Sequence, residues 1–200
     1  MPHAPAKTVA LDSHAAATLR YIRASMDAAG TLAVPGSAGV AMGTIGLFAA
    51  ALVSTPPLRP HWLAVWLTAA VTASGLGAVI MARQSSRQGS TLLGAPARKL
   101  VLCLAPGLFA GAVMTVVEYR SNDLHAIPGT WLLMYGCALI STSASTTRIV
   151  GVLGALFALL ALLAFTLPDT LHTLILATGF GALHIIFGLL IGRDGHRRQA

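Results

Sequence analysis

The chain has 200 residues, 56% of them hydrophobic and only 10% charged, with a mean hydropathy of +0.76. Soluble domains carry roughly 25% charged residues, so this composition excludes a water-clothed globule, and its apolar richness excludes a disordered chain. Twenty glycines without a three-residue period and only two cysteines exclude collagen-like and disulfide-stapled scaffolds as well. What remains is an all-α polytopic membrane protein. The net charge of +7 is spread between apolar runs rather than gathered on one polar face, so it reads as topological signal and no nucleic-acid partner is expected.

Residues 1–30 form a cytoplasmic segment by this reading. Asp12 and Ser13 offer a helix cap, and Ala15, Leu19, Ile22, Met26 and Ala29 recur every three or four residues. Arg20, Arg23 and Asp27 share another face. That pattern predicts a short amphipathic helix lying in the membrane interface. No short apolar core precedes a small-residue cleavage site, so no cleavable signal peptide is expected.

A six-helix transmembrane domain is expected over 31–191, followed by a basic tail over 192–200. Runs near the roughly 20 apolar residues that cross a bilayer fall at Thr31–Ser54, Trp62–Met81, Leu100–Val117, Pro128–Ser145, Ile149–Leu167 and Leu171–Ile191, none with an Asp, Glu, Lys or Arg. The fourth is the weakest, because it ends in the hydroxyl-rich run Ser141–Thr147. Eleven basic residues flank one side of these spans, and only Arg59 and Arg120 the other. The positive-inside rule then places both termini in the cytoplasm. Trp62, Tyr119 and Trp131 fall at the opposite, outer ends, where amphipathic rings favour the headgroup level. Cys103 and Cys137 lie within spans and are expected as buried small hydrophobes, not as a disulfide.

Small residues mark helix contacts in lipid. The first span carries Gly36, Gly39, Gly43 and Gly46 as a continuous stripe, and the third carries Gly107 and Gly111 just after Pro106. The last aligns Ala177, Gly181, His184 and Gly188 on one face. The segments Val34–Ser37 and Ile127–Thr130, each followed by a further glycine (Gly43 and Gly136), echo one another weakly, as the halves of some transporters do.

His184 is the one ionisable side chain deep in a span, so it is expected neutral and hydrogen-bonded inside the bundle. By depth its nearest polar neighbours are Ser143, Ser145 and Arg148, which together would line a cytoplasm-facing pocket for a ligand or proton. His61, His125 and His172 sit at the outer ends with Glu118, Asp123 and Asp169 at similar depth. Imidazoles and carboxylates ligate transition metals, but no local spacing such as HxxxH ties two of them to one site. A single deep histidine argues against a bis-histidine haem, leaving only a His184–Met42 pair for one. No cofactor is expected, and no catalytic motif is present.

The segments Tyr21–Met26, Val34–Gly36, Trp131–Gly136 and Gly179–Gly188 resemble an uncharacterised family of small six-helix bacterial inner-membrane proteins. The resemblance implies a bacterial inner membrane and supplies no reaction. The expected role is that of a subunit, assembly factor or regulator acting through helix contacts with a membrane-protein partner or a second copy. The alternatives are a small transporter or channel with a pocket near His184, and a redox protein.

Overall fold

The computed structural model describes residues 18–22, 34–87 and 95–197, and the described residues are helices joined by short turns. Helix α1 spans Gly36–Val53, α2 Trp62–Arg87, α3 Ala95–Arg120, α4 Ala126–Ser143 and α5 Arg148–Thr166. The last helix, α6, starts as α-helix over His172–Leu176, widens to π-helix over Ala177–Leu183, and returns to α-helix over His184–Arg197. Short 3-10 turns at Arg59–His61 and Asp169–Leu171 lead into α2 and α6. Of the amphipathic helix expected near the N-terminus, residues 18–22 are helical and exposed; the rest lies outside the described residues.

Among the described residues, five helical segments are long and apolar enough to cross a membrane: Gly36–Val53, Arg59–Arg87, Arg98–Arg120, Arg148–Thr166 and Asp169–Arg193. Helix α4 is the exception, and its place in the bundle explains why. Its sequence mixes Pro128, Thr130, Tyr135 and a hydroxyl-rich end with its leucines, yet it lies between α3 and α5 and buries Ile127, Thr130, Leu132, Ala138, Leu139 and Thr142. A helix shielded by its neighbours need not be apolar all round. Helix α2 is the opposite case: across its 26 residues it buries only Trp66 and Gly77, and the large apolar side chains Leu67, Val71, Leu76 and Val79 are among its exposed residues.

Neighbouring helices run antiparallel, as their close approaches show. An added Cβ on Gly43 would come within 2.6 Å of the Gly181 carbonyl, and one on Gly188 within 2.7 Å of both the Gly36 carbonyl and the Val40 amide. The stripe on α1 therefore lies backbone to backbone on α6. Gly136 and Gly154 make the same reciprocal approach between α4 and α5, each Cβ falling within 2.7 Å of the other's carbonyl. Gly107 seats α3 on Met134 and Ala138 of α4, and Gly111 touches Met134. Ala177 is partly buried against the core, whose most enclosed side chains include Phe157, Ile127, Leu132 and Leu176. Close backbone approach suits helices in lipid, where packing rather than water exclusion drives association.

The cysteines depart from expectation. Both are free, but Cys137 faces outward and Cys103 is half-buried, its Sγ 3.8 Å from Ser145 Oγ. Glu118 departs too. Helix α3 continues past Val117 to Arg120, which carries Glu118 into the bundle rather than into a loop, and it is buried there.

Candidate functional site

Helix α2 packs on α1 and α3 packs on α4, while α2 and α3 make little contact with each other. Between them lies a side cavity of about 220 Å³. The sequence makes this space by facing small residues across the gap: Ala69, Ala70, Ala73 and Ser74 on α2, and Gly107, Gly111 and Ala112 on α3. Met42, Met134, Tyr135, Phe180 and His184 close its floor. The wall is almost wholly apolar, with a few polar atoms held in fixed bonds. Trp131 Nε1–H donates to Thr115 Oγ1 at 2.7 Å, and the Thr115 hydroxyl donates in turn to the Gly111 carbonyl. The indole N–H of Trp66, a wall residue only 4% exposed, has no hydrogen-bond partner among the described residues.

His184 is held from both sides. Tyr135 O–H lies 2.8 Å from Nε2, and Nδ1 lies 3.2 Å from the Gly179 carbonyl. A carbonyl can only accept, so Nδ1 carries the proton and Nε2 accepts from tyrosine. The imidazole is thus neutral and fully bonded. Its acceptor five residues back belongs to the π-helical turn, and π-bulges are frequent at functional sites. Tyr135, Phe157, Phe180 and His184 form one ring cluster, with centroids 5.0–6.2 Å apart.

The pocket expected around His184 differs from the one built. Ser143 bonds back to the Ile140 carbonyl, Ser145 faces Cys103, and Arg148 is exposed at the start of α5; none lines the cavity. Helix α4 ends at Ser143, so Ser145 belongs to the turn beyond it and Arg148 to the next helix. Tyr135, six residues before the hydroxyl run that begins at Ser141, takes the role instead. Met42 lines the same cavity as His184.

At the end of the bundle holding the α3–α4 and α5–α6 turns, His125, Asp169 and His172 come together, their ligand atoms all within 4.8 Å of one another. His125 Nδ1 bonds Asp169 Oδ1, and His172 Nδ1 lies 3.9 Å from the same oxygen. The Asp169 carboxylate, assisted by the Phe165 backbone, raises the His125 pKa above its usual value against the opposing effect of desolvation. His61 is exposed at the start of α2 and does not join this group. The available signal was the i,i+3 spacing of Asp169 and His172; His125 arrives from 44 residues earlier. Nearby, Thr130 donates to Glu118 Oε1, while Oε2 of that buried carboxyl has no partner among the described residues. Trp131, expected as a headgroup anchor, is instead half-buried beside Trp62.

Comparison with protein-family models, with curated proteins and with solved structures gives no match.

Proposed function

We propose that this chain is a six-span protein of a bacterial inner membrane, with both termini cytoplasmic, related to the small six-helix family that its sequence resembles. Its work is binding. The side cavity between α2 and α3 holds an elongated apolar molecule drawn from the bilayer, and the protein acts as a membrane-embedded subunit or regulator that responds to it. The 11-to-2 division of basic residues supports the orientation, and the shielded position of α4 supports its counting as a sixth span.

The cavity itself carries the functional reading. Ligand sites are concave and mostly apolar, with a few placed polar groups, and this one meets that description beside a neutral imidazole.

Photo-crosslinking tests this. The purified protein is placed in bilayer discs of phosphatidylethanolamine and phosphatidylglycerol containing a phospholipid with a diazirine in its acyl chain. Labelling should reach Met134 and Tyr135 at the cavity floor as well as the outward faces of α2 and α3. Ala70→Phe, at an exposed wall position, should suppress floor labelling at least tenfold and leave the outward faces and the melting temperature unchanged. Equal floor labelling in the variant, or none in the parent protein, would sink the proposal.

A further inference from the structure

We infer that His125, Asp169 and His172 form a binding site for a divalent transition-metal ion of the zinc type. This inference is independent of the cavity. Three observations carry it.

The first is composition: two imidazoles and one carboxylate are a donor set suited to zinc and its first-row neighbours, and three protein ligands leave room for water. The second is distance. Ligands bound to one zinc at about 2.0–2.1 Å sit roughly 3.3 Å apart in a tetrahedron. The three ligand atoms here lie within 4.8 Å of one another, and His125 and Asp169 are exposed, with room to close by side-chain rotation.

The third is the orientation of His172, which a simple ion pair would not require. This ring is buried, and its Nε2 lies 3.0 Å from the Ala164 carbonyl. The carbonyl accepts, so the proton is on Nε2 and the Nδ1 lone pair is left facing Asp169 and His125. Metal-ligating histidines are held in this manner, with one ring nitrogen donating to a backbone carbonyl and the other kept for the ion. The rings of His125 and His172 are 4.8 Å apart, centroid to centroid, so both present to the same space. An ion there would bridge the turn before α4 to the start of α6.

The test uses tag-free protein and Co²⁺, whose visible absorption reports nitrogen and oxygen coordination, followed by displacement with Zn²⁺. The expected result is one equivalent of Co²⁺ bound, displaced by Zn²⁺, with a melting temperature that rises on Zn²⁺ addition. His125→Ala and the near-isosteric Asp169→Asn should each weaken binding about 100-fold or more, since even second-shell losses cost 10–100-fold. Both variants should melt like the parent protein when no metal is added, and His61→Ala should bind as the parent does. Unchanged Co²⁺ affinity in His125→Ala and Asp169→Asn, or no stoichiometric binding to the parent protein, would overturn the assignment.

Discussion

Gly188→Ala lowers the stability of the detergent-solubilised protein by about 1–3 kcal/mol, whereas Gly75→Ala leaves it unchanged or slightly raises it. The contrast follows from what each new methyl would meet. At Gly188 it falls 2.7 Å from two backbone atoms of α1, the Gly36 carbonyl and the Val40 amide, and backbone cannot rotate aside as a side chain can. Relief requires α1 and α6 to separate, which also loosens Gly39 and Gly43, seated on the same helix. At Gly75 nothing lies within 4 Å, so alanine brings only its better helix propensity. Thermal melts of the two variants beside the parent protein check this. Equal melting temperatures for all three would mean that α1 and α6 are not in contact at these glycines.

His184→Leu comes next in size, at about 1–2 kcal/mol. Leucine leaves the Tyr135 hydroxyl and the Gly179 carbonyl without their partner and replaces a flat ring between Phe157 and Phe180 with a branched chain. Soluble proteins lose about 1–3 kcal/mol for one such orphaned group. Interhelical bonds in bilayers average nearer 0.6 kcal/mol, because the unfolded chain in lipid also finds partners; the lost Tyr135 bond is of this kind, and the Gly179 carbonyl orphaned within α6 adds to it to set the range given. His184→Gln keeps a donor and an acceptor and should cost about half as much. Melting curves rank the three proteins, and floor labelling by the diazirine lipid should survive in the glutamine variant. A well-folded glutamine variant that no longer labels would make the imidazole a ligand contact rather than a strut.

The helices were legible in the sequence because lipid imposes one composition on every exposed face, and Trp62, Arg148 and the other charged or aromatic boundaries lie within a few residues of the observed ends. The glycine stripe on α1 was legible for a related reason: three- and four-residue spacing fixes a face, and small size fixes what that face is for. Partners were not legible. Depth along a span placed Ser143, Ser145 and Arg148 near His184, but depth says nothing about direction around the helix, and Tyr135 won by pointing the right way. The outer cluster was hidden for a different reason, since His125 meets Asp169 only once α4 and α5 have packed antiparallel through Gly136 and Gly154. Glu118 was placed at the right end, but its burial was not legible, because the apolar run ends one residue before it although the helix does not.

The wide turn at Ala177–Leu183 has a consequence for how this chain tolerates changes of length. A π turn takes in one residue more than an α turn, so everything after it is set about 100° out of phase with what precedes it, the angle of one residue at 3.6 per turn. His172, Ile175 and Leu176 are buried by the phase before the turn; Gly188 meets α1 by the phase after it. Removing a single residue from this stretch would let it close into a regular helix with Gly188 still facing Gly36, whereas removing one between Leu183 and Gly188, with the wide turn kept, would swing Gly188 about 100° away. The wide turn is therefore a place where this helix can lose a residue and keep its two halves in register, while the same deletion in the α-helical stretch after it is a larger change than most substitutions.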